Sequence, residues 1–519
     1  MSGCLSQEFD WIRSQLQSQA EQFKPTAPLL QTIARRFQPI LDQVGAGLET
    51  LQAAIPPAAP SDPASCDSAE TWLEWAVREY LPYLFWLEEA DRWDPIVAGY
   101  AAQYADWFYK NYTSLKYQHQ GRWVFDILNR AGATLKQGRK VLLLVVDNFN
   151  YKHVRALVNR FGCQGFHAIA AVEPIWSVLP TTTEVSKHCL AAGEANLAHV
   201  QGKGYEDILD KDWRGYFEGY NVIYLPKLSA LKSRRRFDAD LILLNYLPID
   251  DVLHKDEKQI GTSHTGEIMG YLDALVETVT AFAKRAQVEQ DLVVMVVSDH
   301  GSTKLLPDFE SYLDDKFYRK LAKDPHHRYI AVPEDKATNP TDYDRANCYV
   351  LPARSFGNRE SFFIPRGYGV FIKTDESIYV HGGLTPEETI VPFAQLMKTE
   401  VHVFQPTLRL PTNVVRYSVK ASLAFVVGNP NEYDMTEVEL SVAESDLPGI
   451  LVEAIPAGRS AEVIIPVRIR RQPGALDLTA ITVQGSFEIA GRKVSIEPVS
   501  IPVQTRSLQE SKTEFDFGA

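Results

Sequence analysis

Short apolar runs between residues 140 and 300 constrain the fold of this chain more than any other feature. The runs are VLLLVV (141–146), AIAAV (168–172), NVIYL (221–225), DLILLN (240–245) and LVVMVVS (292–298). A strand that is buried on both faces has this pattern, and the intervening segments are long enough for crossover helices. The sequence therefore predicts an α/β sandwich around a mainly parallel sheet.

The regions on either side of this central part have different patterns. Before residue 135 the apolar spacing is helical, interrupted by a proline-rich stretch at 55–63. After residue 398, alternating segments such as 436–442 and 493–503 are separated by Pro, Gly and Asn turns, which predicts an Ig-like β-sandwich. We therefore expect a helical N-terminal domain at 1–135, the α/β domain at 136–398, the β-sandwich at 399–505 and a flexible tail at 506–519.

Composition excludes several classes of protein. With 519 residues, 45% of them hydrophobic and 23% charged, the chain should be globular and hold more than one domain. A net charge of −13 argues against general nucleic-acid binding. The N-terminus lacks a secretory signal, no apolar run approaches the roughly 20 residues that a bilayer requires, and the five cysteines form no CxxC pair. These features predict a cytoplasmic protein without a membrane partner.

Two of the apolar runs end in residues that can bind metal ions. Asp147 follows 141–146, and Asp299 with His300 follows 292–298, where Gly301 permits a sharp turn. In open α/β sheets the ligand crevice lies beyond the carboxyl ends of the strands, so both positions suit a metal site. Asp147 could instead cap a helix.

A second set of candidate ligands lies further along the chain. Asp250 and His254 are four positions apart, a spacing that places both side chains on one face of a helix. Asp251 is a competing carboxylate. His381 precedes two glycines that allow close approach, although a lone histidine in a turn is usually structural.

Thr183 closes the sequence PTTT and precedes the helix-like EVSKHCLAA. A threonine here either caps the helix or, since a helix N-terminus attracts phosphate, acts as a nucleophile once a metal lowers its pKa. Considered together, three carboxylates, three histidines and one hydroxyl predict a two-metal site for phosphoryl transfer, with zinc favoured and manganese as the alternative. The seven residues are Asp147, Thr183, Asp250, His254, Asp299, His300 and His381.

The same residues carry a resemblance to the alkaline phosphatase superfamily. The order of motifs is Val-Asp147, Pro-Thr-Thr-Thr183, Asp250-x-x-x-His254, Ser-Asp299-His300-Gly and His381-Gly-Gly-Leu-Thr-Pro-Glu-Glu. Residues 140–395 look most like a PglZ domain. The resemblance implies that Asp250, His254 and His381 hold one metal and that Asp147, Asp299 and His300 hold the other. It also implies that Thr183 is the nucleophile and not the competing Thr181 or Thr182, because Gly193 lies ten residues after Thr183.

The resemblance predicts a phosphoester hydrolase, a phosphodiesterase or phosphatase that acts on a phosphoester or nucleotide. PglZ domains occur in bacterial phage-defence systems, so it also suggests that role. The segment 183–187 lacks the Cys-x-Pro-x-Arg of sulfatases, which disfavours sulfatase activity. A non-catalytic scaffold and a phosphotransferase or mutase are the alternatives. Arg328 and Arg366 are candidates for phosphate contact, and the flanking domains are candidates for binding protein partners.

Overall fold

The structure, a computed structural model, describes most of the chain from residue 57 onward. The described residues are Glu8, Trp11, Ile12, Ile33, Arg36, Phe37, 57–89, 91–119, 121–200, 205–209, 213–255, 263–306, 311–313, 326–333, 346–373, 377–399, 403–411, 413–418, 420–431, 433–470, 478–489 and 492–506. Pro57–Thr399 form one compact unit, and Met1–Pro56 with Glu400–Ala519 form another. Among the described residues, no helix has both the length and the apolar character needed to span a bilayer.

The unit Pro57–Thr399 alternates helices and strands. Its described helices are α1 (Ala69–Trp75), α2 (Leu81–Glu89), α3 (Pro95–Gln118), α4 (Ile127–Lys136), α5 (Val154–Cys163), α6 (Thr183–Ala192), α7 (Tyr205–Asp207), α8 (Trp213–Tyr216), α9 (Leu228–Ser233), α10 (Pro248–Leu253), α11 (His264–Arg285), α12 (Ala353–Phe356) and α13 (Pro386–Thr389). Its described strands are β1 (Lys140–Val146), β2 (Phe166–Ala168), β3 (Glu173–Trp176), β4 (Val222–Leu225), β5 (Leu241–Tyr246), β6 (Leu292–Ser298), β7 (Thr303–Leu305), β8 (Ser311–Tyr312), β9 (Ile330–Pro333), β10 (Cys348–Leu351), β11 (Glu360–Pro365), β12 (Gly369–Val370), β13 (Ile378–Val380) and β14 (Ile390–Lys398).

A seven-stranded sheet lies at the centre of this unit. Its order is β2-β14-β6-β1-β5-β4, with β3 also paired to β14. The strands β6, β1, β5 and β4 are parallel to one another, whereas β14 runs antiparallel to its neighbours. The predicted mixed α/β fold with a mainly parallel sheet is therefore confirmed.

Four of the five predicted strands correspond to β1, β4, β5 and β6, but the prediction for AIAAV (168–172) is wrong. There β2 ends at Ala168 and β3 begins at Glu173, so that residues 169–172 connect two strands. Ile169 is 42% exposed. Three alanines supply little side chain to bury in a sheet, so the run is apolar without favouring a strand.

The sheet is covered on both faces, which explains its uninterrupted apolar strands. In β1, Val141, Leu143 and Val145 share a hydrophobic cluster with α1, α3 and α4, whereas the alternate residues share a second cluster with α5 and α11. Residues on both sides of the predicted domain boundary at 135/136 thus contribute to one cluster. The three predicted domain boundaries stay predictions.

The described part of the second unit consists mostly of strands. These are β15 (Thr407–Arg409), β16 (Val414–Arg416), β17 (Ala421–Gly428), β18 (Met435–Val442), β19 (Ile450–Ile455), β20 (Ser460–Val467), β21 (Ala480–Ile489), β22 (Arg492–Pro502) and β23 (Gln504–Arg506). Two antiparallel sheets, β15-β17-β20 and β19-β18-β21-β22, contribute to one hydrophobic cluster. The Ig-like assignment stays a prediction, and residues 507–519 of the predicted tail and most of residues 1–56 lie outside the described residues.

Candidate active site

The first group of candidate ligands lies at the carboxyl edge of the sheet. Since β1 and β6 are parallel with Val146 opposite Ser298, Asp147 and Asp299 leave the sheet side by side. His300 Nε2 lies 3.7 Å from an oxygen of each carboxylate. Asp147, Asp299 and His300, called here the Asp147 group, are all buried.

The second group is assembled from a short helix and a turn. Asp250 lies in α10 and His254 immediately follows it, and the predicted one-face geometry gives 3.2 Å between His254 Nε2 and Asp250 Oδ1. His381 follows β13 and brings its ring to 5.3 Å from that of His254, measured between centroids. Asp250, His254 and His381 are called here the Asp250 group. The competing carboxylate, Asp251, is exposed and lies outside it.

The two groups adjoin each other. Within each group the candidate ligand atoms lie within 4.8 Å of one another, and the ring centroids of His300 and His381 are 4.3 Å apart. Asn148 joins the groups, because its backbone N–H donates to Asp299 Oδ1 and its side-chain amide donates to Asp250 Oδ1. This division into two sets of three is the one that the resemblance implies, and the role of the six residues as metal ligands stays a proposal.

Thr183 places its hydroxyl against the Asp147 group. The helix cap is Thr182, whose side chain accepts the Val185 N–H, and the helix ends at Gly193, with φ of 64°. His300 Nδ1 lies 3.1 Å from the Gly301 carbonyl, which can only accept, so in the neutral ring Nε2 is the acceptor nitrogen. The Thr183 hydroxyl lies 2.9 Å from this Nε2. Capping by Thr182 thus leaves the Thr183 hydroxyl available for chemistry.

Burial and crowding of carboxylates dominate the electrostatics of the Asp147 group. Burial and, next to it, the nearby Asp299 raise the pKa of Asp147 to about 7, although Lys187 and His300 oppose the shift. The Lys187 ammonium forms an ion pair with Asp147 Oδ2, and both side chains are almost fully buried. Lys187 was not among the residues predicted from the sequence, although its position four residues after Thr183 on the same helix face was a usable signal.

The Asp250 group has the opposite balance of charge. Burial alone would raise the pKa of Asp250, but the hydrogen bond with His254 and the surrounding histidines bring that pKa well below its usual range. The same hydrogen bond raises the pKa of His254. Burial and the neighbouring His300 lower the pKa of His381 well below its usual range, which favours the neutral imidazole that binds metals.

The residues present suit divalent cations. Asp299 Oδ2 and Asn148 Oδ1 are buried oxygens with no hydrogen-bond partner among the described residues. A buried carboxylate oxygen without a partner is costly unless a cation compensates its charge. Carboxylate and imidazole ligands in sets of three fit zinc or manganese.

The turn that carries His381 contains two adjacent glycines and packs closely against buried polar groups. A side chain at Gly383 would collide with the Glu388 carboxylate and the Arg328 guanidinium. Arg328 itself is fully buried and donates to Glu388 and to the Gly369 carbonyl. Arg366 pairs with Asp106 and lies over the ring of Tyr349. Both arginines are engaged by protein groups, and their contact with a phosphate stays a prediction.

A cavity of about 410 Å³ opens beside Thr183. Besides Thr183, it is lined by Glu184, Lys187, His188, Tyr205 and Asn245. Two of its polar atoms, the Tyr205 hydroxyl and Asn245 Oδ1, have no hydrogen-bond partner among the described residues. None of these five residues was predicted as part of the site. Asn245 ends a predicted strand, so the strand-end position that indicated Asp147 was a usable signal for Asn245 as well.

Comparison with known proteins leaves the family open. The sequence matches no protein-family model and no curated protein. Similar solved structures include human ectonucleotide pyrophosphatase/phosphodiesterase 5, with 14% identity and a TM-score of 0.36 over 50% of this chain and 87% of that chain. The murine protein has 15% identity and a TM-score of 0.35, over 49% of this chain and 88% of that chain. Its inactive form in complex with AMP has 16% identity and a TM-score of 0.33, over 49% of this chain and 87% of that chain. Likeness at this level establishes neither the family nor the activity of the present chain.

Proposed function

We propose that this protein is a metal-dependent phosphoester hydrolase that uses Thr183 as its nucleophile. The observation that carries the proposal is the position of the Thr183 hydroxyl, at the N-terminus of α6 and 2.9 Å from His300 Nε2, beside two groups of carboxylate and imidazole ligands. The catalytic core is proposed to be of the alkaline phosphatase type, with the PglZ domain as its nearest variety. The motifs of residues 140–395 support this assignment.

Each proposed cation has its own set of residues. Asp147, Asp299 and His300 would hold one ion, with Thr183 as a further ligand, and the Asp250 group would hold the other. When bound, two divalent ions lower the pKa of a coordinated hydroxyl and stabilise charge on the attacking and leaving oxygens of an in-line displacement.

The protein's own groups bind and attack the phosphoester. The N-terminus of α6 carries a partial positive charge beside Thr183, and with the Lys187 ammonium it favours a phosphoryl group there. Thr183 Oγ1 loses its proton to water and forms a bond to phosphorus while the bond from phosphorus to the leaving oxygen breaks, and that oxygen takes a proton from water and departs as an alcohol. Water then attacks the phosphothreonine, which restores the hydroxyl and releases the phosphate product.

The cavity beside Thr183 supplies space for the rest of the substrate. Its lining combines the Lys187 cation, the Asn245 amide and the aromatic rings of Tyr205 and His188, whose centroids are 6.0 Å apart. A phosphoester or nucleotide is therefore the proposed substrate class. A cytoplasmic location, protein partners bound through the flanking regions and a role in phage defence are proposed from the sequence features and the PglZ resemblance.

Replacing Thr183 with alanine tests the nucleophile. The purified parent, Thr183→Ala and Thr183→Ser are loaded with Zn²⁺ or Mn²⁺, analysed for bound metal, and assayed with bis(4-nitrophenyl) phosphate and 4-nitrophenyl phosphate. The alanine variant should keep most of its metal and lose at least about 10³-fold in kcat, as expected for a nucleophile. The serine variant should retain part of the activity. Equal activity of Thr183→Ala and the parent would refute the assignment, and metal binding without any hydrolysis would favour the scaffold.

A further inference from the structure

Thr181 contacts every residue of the turn His381-Gly382-Gly383. Its carbonyl oxygen lies 3.2 Å from His381 Nδ1. Its hydroxyl accepts the Gly382 N–H at 3.1 Å and donates to the Gly383 carbonyl at 2.8 Å. Thr181 has no exposed surface, so water cannot replace these bonds. One residue thus uses its backbone and its side chain to hold a turn that is 200 positions distant in the sequence.

The carbonyl contact determines which nitrogen of His381 is available to a metal. A carbonyl oxygen can only accept, so Nδ1 carries the proton in this hydrogen bond. The lone pair of the neutral ring is then on Nε2. A partner on the second nitrogen is the usual device that fixes the tautomer and the orientation of a metal-binding histidine.

A second anchor holds the turn from the other side. The Glu388 carboxylate accepts the Gly383 N–H at 2.9 Å and pairs with the buried Arg328 guanidinium at 2.9 Å. The backbone carbonyl of Glu388 accepts the N–H of Gly301, the residue after His300. The Gly383 peptide is therefore fixed between Thr181 and Glu388. Of these two contacts, the one through Thr181 leads directly to the nucleophile, which is only two residues further along the chain.

We infer that Thr181 is the positioning residue that fixes His381 relative to Thr183, an inference that rests on the proposed function. The Thr181 hydroxyl ties the turn to the start of α6, so the ligand in the Asp250 group and the nucleophile beside the Asp147 group keep one relative geometry. Thr181 does not itself contact the reacting atoms. Loss of the Thr181 hydroxyl should therefore weaken metal binding by the Asp250 group first.

Two substitutions separate the hydroxyl from the shape of the side chain. Thr181→Val keeps the branched shape and the backbone carbonyl but removes both hydrogen bonds of the hydroxyl. Thr181→Ser keeps the hydroxyl and removes one methyl group. Parent and variants are titrated with Co²⁺, and binding is followed by calorimetry and by the visible absorption of the bound ion. Asp250→Asn and Asp147→Asn serve as references that disable one group each.

The expected result is selective. The parent should bind two Co²⁺ ions, and Thr181→Val should bind one of them about tenfold more weakly, the lower end of the effects seen when groups that support a metal ligand are lost. The affected ion should be the one that Asp250→Asn loses, and Thr181→Ser should restore the affinity. If Thr181→Val does not fold, as judged by circular dichroism, Thr181→Ala compared with Thr181→Ser provides the same test.

The Co²⁺ titration distinguishes an error in the role of Thr181 from an error in the proposed hydrolase function. Parent affinity for both ions in Thr181→Val would overturn the positioning role and leave the hydrolase proposal intact. Equal weakening of both ions, without restoration by serine, would also overturn it, because that result indicates only general damage. A parent that binds no Co²⁺ would overturn the inference and the proposed function together.

Discussion

Replacing Asp147 with asparagine should stabilise the metal-free protein at pH 8 and have a smaller effect at pH 5. Burial and the neighbouring Asp299 raise the pKa of Asp147 from its ordinary value of 3.8 to about 7. An acid whose pKa is higher in the fold than in the unfolded chain binds its proton more tightly in the fold, so its presence destabilises the fold as pH rises. The penalty is absent below about pH 4 and complete above about pH 7.

The size of the effect follows from the two pKa values. At about 1.4 kcal/mol for each unit that separates them, the complete penalty is on the order of 4 kcal/mol. Between pH 5 and pH 8 the part that develops is about 2 to 3 kcal/mol. Asp250 does not interfere, because its pKa is lowered and its contribution is lost only as pH falls below its ordinary value of 3.8. His254 and His381 are present in both proteins, so their effects largely cancel in the comparison.

Urea unfolding of the chelator-treated protein measures this difference. Parent and Asp147→Asn are unfolded at pH 5, 6, 7 and 8, and the gap between their unfolding free energies should widen by about 2 to 3 kcal/mol across the series. Asp251→Asn is the matched control, since Asp251 is an exposed carboxylate outside both groups. In the variant Lys187 still faces Asp299, which is the strongest charge favouring its ammonium form. A gap that stays constant to within about 0.5 kcal/mol would refute this account of the buried site.

Two further predictions concern other buried or strained positions. Glu387→Gln should raise the melting temperature at pH 8 more than at pH 5, because burial and the adjacent Glu388 raise the pKa of Glu387 to about 7; a lower melting temperature at pH 8 would contradict this. Gly193→Ala should lower the free energy of unfolding in urea by about 1–2 kcal/mol, since Gly193 has φ of 64°. The control Gly270→Ala, in an open position of α11, should raise that free energy by about 0.5–1 kcal/mol. Equal effects of the two substitutions would contradict the strain at Gly193.

The sequence predicted the features that depend on local pattern. Strands β1 and β6 were recognisable because both faces of each strand are buried, and the residues that follow them, Asp147 and Asp299, were placed at one edge by the parallel pairing alone. The four-residue spacing of Asp250 and His254 was sufficient because a single turn of helix determines their geometry. In each case the decisive partner is near in sequence or fixed by the sheet.

Features that depend on distant partners were not accessible in the same way. Thr181 and Thr183 differ little as sequence positions, yet the hydroxyl of Thr181 is occupied by the turn after His381 and that of Thr183 faces His300. The burial of Arg328 likewise depends on Glu388, 60 positions away.

The sequence supplies candidate ligands, but their charge balance exists only in the folded protein. The Asp147 group has two carboxylates and one imidazole, and the Asp250 group has one carboxylate and two imidazoles. In the metal-free protein the second group compensates its own charge, because His254 binds a proton more readily beside Asp250. The first group cannot do so, and the Lys187 ammonium is the cation that faces its carboxylates. In the sequence, Lys187 has the pattern of an ordinary helix-surface lysine. In the folded protein it therefore provides the positive charge that allows two buried aspartates to coexist before a metal ion binds.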